Sequence, residues 1–147
     1  MELLDGKKLR TEILAKIKNE VALLSFQPIF CDILVGNDPS SAQYVKMKAK
    51  TAESVGIKFH NANFPTSITT GELVEEIKTL NKIKNMCGII VQLPLPEHLD
   101  KRAILDAIDP HLDVDCLGTS ASAEFYSGLT AGGIGFPTAL ACMALLD

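Results

Sequence analysis

A chain of 147 residues, 47% hydrophobic and 22% charged, is long enough to bury one real apolar core, so a single domain is expected. Its formal net charge of −4 argues against a nucleic-acid partner. No apolar run reaches the length of a membrane span, and Met1-Glu2-Leu3-Leu4-Asp5-Gly6 lacks the basic-then-apolar plan of a signal peptide. Cys31, Cys87, Cys116 and Cys142 are widely spaced, and Cys31 and Cys87 sit in apolar runs, so both read as reduced core residues. The expected location is the cytoplasm.

Helical and extended patterns alternate along the chain. Leu9, Ile13, Ile17, Val21 and Leu24 form a helical stripe over 3–24, and 28–35 is a β-rich run ended by Gly36. Asp38 is a good N-cap with Pro39 at N1, and the helix it opens is expected to reach Val55, with Gly56 closing it. Along that helix Ala42, Val45, Ala49 and Ala52 would face a core. Tyr44 and Lys48, four apart, would share another face flanked by Ser41 and Thr51. A weaker strand is expected over 57–64. Thr69 or Thr70 then caps a helix carrying Leu73, Val74, Ile77, Leu80 and Ile83. The run Gly88-Ile89-Ile90-Val91-Gln92-Leu93 has the near-continuous apolarity of a strand buried on both faces of a parallel sheet. A short helix is expected over 101–108, ending at Asp109-Pro110. Residues 118–135, rich in Gly, Ser, Thr and Ala, read as linker or loop, and 138–146 as a helix that is apolar all round and needs burial. Strands alternating with helices predict an α/β fold, a three-layer domain with a mostly parallel sheet flanked by helices.

In such sheets ligands collect beyond the carboxyl ends of the strands. Three polar features fall there: the helix opened by Asp38, Gln92 at a strand exit, and Asp113-Val114-Asp115, whose carboxylates share a direction if that segment is extended. Each also has an ordinary structural reading. Lys48 is one of several lysines on its helix, Gln92 could satisfy backbone groups at a strand end, Tyr44 could be half-buried packing, and the two aspartates could cap a turn. The histidines His60, His98 and His111 have no ligand spacing, so no metal site is expected. No glycine-rich strand–turn–helix fingerprint for a dinucleotide is found.

Three motifs go further than composition. They are Val35-Gly36-Asn37-Asp38-Pro39-Ser40-Ser41-x-x-Tyr44-Val45-x-x-Lys48-x-Lys50, then Gly88-Ile89-Ile90-Val91-Gln92-Leu93-Pro94-Leu95-Pro96, then Ile108-Asp109-Pro110-x-x-Asp113-Val114-Asp115. In that order they closely resemble the methylenetetrahydrofolate dehydrogenase/cyclohydrolase family, and Leu4-Asp5-Gly6-Lys7 resembles its start. The resemblance covers about 1–115, that family's N-terminal folate-binding domain.

The resemblance implies that Lys48 is the key catalytic residue, that Tyr44 stacks on the folate and orients Lys48, and that Gln92 hydrogen-bonds near it. It implies that Asp115 anchors the pterin, whose amino-pyrimidine edge offers N–H donors to a carboxylate. Val91 and Leu93, flanking Gln92 in the motif, join the implied substrate-binding set. The implied chemistry is oxidation of 5,10-methylenetetrahydrofolate with NAD or NADP, followed by hydrolysis of 5,10-methenyltetrahydrofolate to 10-formyltetrahydrofolate. A homodimer is a further implied possibility. The alternative function is a non-catalytic folate-binding or protein-interaction module of the same fold.

Departures from the family pattern follow Asp115, where this chain has Cys116-Leu117-Gly118-Thr119 and later Phe136-Pro137-Thr138-Ala139. The expected division is therefore 1–117 as the folate-binding catalytic domain and 118–147 as a linker or terminal helix. Two readings of that tail stay open: a divergent linker to an NAD(P) domain, which is favoured, or a returning C-terminal helix resembled by Gly132-Gly133-Ile134-Gly135-Phe136-Pro137-Thr138. Either implies that cofactor-binding residues are missing from this chain and that its activity is impaired.

Overall fold

A computed structural model describes residues 4–128 and 134–146. The motif residues Gly132 and Gly133 therefore lie outside the described part. The described residues form helices and strands in the order α1 (Gly6–Ala22), β1 (Ile29–Val35), α2 (Pro39–Ser54), β2 (Lys58–Phe64), α3 (Thr70–Leu80), β3 (Met86–Val91), α4 (Lys101–Leu105), α5 (Thr119–Tyr126) and α6 (Pro137–Leu146). The strands make one parallel sheet in the order β2-β1-β3. This is the α/β architecture that the alternating pattern predicts.

The strand order reverses at β1, so successive crossovers put α2 and α3 on opposite faces of the sheet. On the α3 side, Cys31, Ile33 and Val35 of β1 join Ile89 and Val91 of β3. They pack with Leu73, Ile77 and Leu80 of α3 and Ile104 and Leu105 of α4 in one apolar cluster. The intervening residues of β1 face α2, because successive side chains on a strand point to opposite faces.

Local chemistry sets the ends of these elements. Thr69 and Glu72 form a reciprocal capping box at the start of α3, which settles the cap on Thr69 rather than Thr70. At the end of α2 the Gly56 N–H donates to the Glu53 carbonyl and the Ile57 N–H to the Ala52 carbonyl, with Gly56 at φ +89°. That left-handed residue completes a Schellman motif, as the glycine at that position suggests. In α1 the half-buried stripe is Leu9, Leu14, Ile17 and Val21, whereas Ile13 is exposed.

Four expectations are corrected. Residues 119–126 are helical, not loop. Their first N–H groups are held by distant carboxylates: Gly118 donates to Asp113 Oδ2 at 2.7 Å and Thr119 to Asp106 Oδ1 at 2.6 Å. Cys87 is exposed near the start of β3, while Cys31 is fully buried, its thiol pushed up to about 12 chiefly by that burial. Asp113 forms an isolated bridge with Ile89, but Val114 and Asp115 lie in a turn, so 113–115 is not one extended segment. The α4 helix is shorter than expected and ends at Leu105. All four cysteines are free. No described helix is long and apolar enough to cross a membrane.

Candidate functional site

The inward stripe of α2 runs through Ser41, Val45, Lys48 and Ala52 at spacings of four, three and four. Lys48 thus lies at the edge of the buried stripe, more buried than the sequence suggested, and it shares the cavity-facing side of the helix with Tyr44. Its side chain is 15% exposed, while Tyr44, one turn earlier, is 50% exposed. The Lys48 ammonium sits 4.8 Å from the centre of the Tyr44 ring, a cation–π approach.

Two strands supply the partners of that nitrogen. Gln92 follows β3 directly and shares the face of Ile90 two residues before it, which pairs with Asp32 across the sheet. Lys48 Nζ donates to Gln92 Oε1 at 2.8 Å. From the centre of β1, Asp32 reaches the same nitrogen and forms an ion pair through Oδ2. Asp32 is wholly buried, and its Oδ1 has no hydrogen-bond partner among the described residues. Burial pushes its carboxyl above the usual range, and the Lys48 charge pulls it part of the way back.

The turn carrying Asp115 is brought against β3 by a close backbone approach. The Ile89 N–H donates to the Leu112 carbonyl at 2.7 Å, and Ile89 bridges Asp113. A side chain at Gly88 would collide with Val114 at 2.7 Å, so glycine is what lets the turn come this near. The two aspartates of the motif then part company. Asp113 is buried and binds the Gly118 N–H, whereas Asp115 lines the cavity above Lys48. Burial raises the Asp115 carboxyl; Lys48 opposes the rise, and Asp113 and Asp32 add to it. Cys116, the next residue, is fully buried in a left-handed conformation at φ +58°.

These side chains open into a cavity of about 430 Å³ beyond the carboxyl ends of β1 and β3, at the point where the strand order reverses. Tyr44, Lys48, Val91, Gln92, Leu93 and Asp115, the six residues singled out from the sequence, all line it. Sequence reasoning missed Ile90, Leu117 and the stretch Phe136-Pro137-Thr138 leading into α6, which also line it, and Asp32 beneath it. The Phe136 ring is anchored against Phe125 of α5 at 5.1 Å. Asp32 had a legible signal: it is the lone charge in the apolar run Ile29-Phe30-Cys31-Asp32-Ile33-Leu34-Val35, and a charge buried in such a strand requires a partner.

A dinucleotide commonly seats its pyrophosphate at a helix N-terminus with free N–H groups. The N-termini of α1, α2, α3, α4 and α5 are each met by a carboxylate, from Asp5, Asp38, Glu72, Asp100 and Asp106 respectively, whereas α6 opens beside the cavity with Pro137 and Thr138 in its lining. Among the described residues no group of three or more His, Cys, Asp or Glu side chains could hold a metal ion.

Residues 4–115 match the family model described as tetrahydrofolate dehydrogenase/cyclohydrolase, catalytic domain. The chain belongs to this family. A bifunctional protein FolD of Wolinella succinogenes is 43% identical over 151 aligned residues, covering 100% of this chain and 52% of that protein. The FolD of Nitratiruptor sp. is 48% identical over 119 residues, 78% of this chain and 42% of the relative. Among solved structures, a FolD methylenetetrahydrofolate dehydrogenase/cyclohydrolase from Campylobacter jejuni superposes with a TM-score of 0.94 at 38% identity, over 99% of this chain and 52% of its own. The Trypanosoma brucei family member, solved with NADP cofactor and an inhibitor, gives a TM-score of 0.88 at 33% identity over 97% of this chain and 50% of its own. The chain spans about half the length of the curated relatives it matches.

Proposed function

We propose that the cavity above Lys48 binds a reduced folate and that this chain supplies the folate half of a methylenetetrahydrofolate dehydrogenase/cyclohydrolase site. The observation that carries the reading is the fixed Lys48 nitrogen. It is held by Gln92 at 2.8 Å beside the Tyr44 ring, at the floor of a cavity that Asp115 also lines. The names borne by the relatives support the same assignment.

The roles follow from chemistry. Tyr44, half exposed, offers a flat face for the folate rings. The Asp115 carboxylate is an acceptor for the N–H row of the pterin, a charge-assisted contact. In the hydrolytic step the oxygen of a water molecule bonds to the methenyl carbon of the bound cation. Lys48 takes the proton that the water releases and returns one to N5 as the carbon–N5 bond breaks. The product is 10-formyltetrahydrofolate, with one proton left over for solvent. Gln92 keeps the lysine nitrogen pointed at that carbon, which is where positioning lowers the barrier. Oxidation of 5,10-methylenetetrahydrofolate needs NAD or NADP, whose nicotinamide would have to be held against the bound folate.

Calorimetric titration with 5-formyltetrahydrofolate, a stable reduced folate, tests the reading. The unmodified chain should bind it. Asp115→Ala should weaken binding roughly tenfold or more, the loss of a charge-assisted contact of about 1.5–3 kcal/mol. A folded sample that binds no reduced folate would overturn the proposal.

A further inference from the structure

Asp32 has no role in the chemistry above, yet it occupies the least favourable place in the molecule for a carboxylate. It sits in the central strand, wholly buried, with Phe30 and Leu34 as its neighbours on the same strand face. Among the described residues Lys48 is its only ionic partner. Replacing such a pair by apolar side chains of similar volume is often neutral or stabilising, so the fold gains no evident advantage from the charge.

The folate reading, on which the role inferred for Asp32 rests, supplies a reason. The methenyl substrate carries a positive charge on its N5–C–N10 bridge, and a lone ammonium on the cavity floor would repel it. With Asp32 beneath, the Asp32–Lys48 pair is neutral overall, whichever partner holds the shared proton. The other charged groups near Lys48 do not replace it. Asp115 lines the cavity and is engaged by the pterin, and Arg10 of α1, which faces Lys48 across a neighbouring cleft, is itself a cation bonded to Thr51. Tyr44 and Gln92 are uncharged partners of the lysine.

We infer that Asp32 is a positioning residue that cancels the charge of Lys48 from below and thereby lets the cavity accept the cationic methenyl folate in preference to neutral-bridge folates. It acts through Lys48, since it does not itself line the cavity.

The test is a ratio of affinities, for 5,10-methenyltetrahydrofolate against 5-formyltetrahydrofolate, measured on folded samples by rapid-mixing spectroscopic titration read before the methenyl bridge is hydrolysed. A purely structural role for Asp32 would lower both affinities together and leave the ratio alone. Asp32→Asn should lower the ratio on the order of tenfold or more, the effect of one uncompensated charge at short range. Lys48→Met should not lower it, because the buried Asp32 carboxyl, without its partner, takes up a proton and leaves the cavity floor neutral. The double variant Asp32→Asn with Lys48→Met should restore the ratio to within a few fold of the starting protein. If Asp32→Asn does not fold, Asp32→Leu, which suits the apolar surroundings of Phe30 and Leu34, carries the same test. An unchanged ratio in the Asp32 variant overturns the inference while leaving folate binding intact. Failure of the unmodified chain to bind either folate overturns the folate reading instead, and the inference with it.

Discussion

On one face of β1, Cys31, Ile33 and Val35 meet the apolar side chains of α3 and α4; on the other, Asp32 of the same strand meets Lys48 of α2. The first face is dry and close-packed, and its contribution is burial of apolar surface. The second holds a charge pair, an amide and a half-exposed phenol, and it opens into a cavity. One strand therefore serves two ends, with alternate residues committed to stability and to the site.

That contrast predicts where substitutions hurt. Ile77, fully buried on the α3 side, is at the centre of the dry face. Ile77→Ala should destabilise the fold by about 2–5 kcal/mol, read from urea denaturation, because the cavity it leaves cannot fully collapse. Its folate affinity should stay close to that of the unmodified chain wherever the protein is folded. A large loss of affinity without loss of stability would break the division between the two faces.

The polar face predicts a smaller effect with a pH signature. Burial raises the Asp32 carboxyl above its ordinary value, so the folded protein binds this proton more tightly than the unfolded chain. The stability that this group contributes is therefore fullest below the ordinary carboxylate range and is lost as pH rises through the raised value. Asp115, also raised, acts in the same direction, while Asp38, Glu72, Glu75 and Asp106, all lowered by hydrogen bonds, act in the other. Comparing Asp32→Asn with the unmodified chain isolates the one group. The stability of the asparagine variant relative to the unmodified chain should rise as pH rises through that window. Denaturant midpoints measured across a pH series check it, and a relative stability of the asparagine variant that falls with rising pH would contradict the sign.

The dry face was the easier one to read. Apolar runs at 28–35 and 88–93 and the stripe Leu73, Ile77, Leu80 carry their own periodicity, and Asp38, Gly56 and Thr69 announce helix ends through local chemistry alone. The cavity residues Tyr44, Lys48, Gln92 and Asp115 were legible because the motifs fix their order along the chain. What stayed hidden depends on long-range contacts. The α5 helix has little apolar periodicity and no side-chain cap of its own, and it is anchored by Asp106 and Asp113 from earlier in the chain. Likewise, nothing local at Lys48 shows that it turns inward; that depends on Asp32 and Gln92 from two different strands. Phe136 reaches the cavity only because α5 holds its ring.

Hydrolysis of 5,10-methenyltetrahydrofolate, followed by the loss of its absorbance, tests the central claim that the Lys48 face is the working face. The unmodified chain should accelerate the reaction above the buffer rate, and Lys48→Gln should remove that acceleration by roughly a hundredfold or more while still folding. A Lys48→Gln protein that hydrolyses the substrate as fast as the unmodified chain would contradict the account.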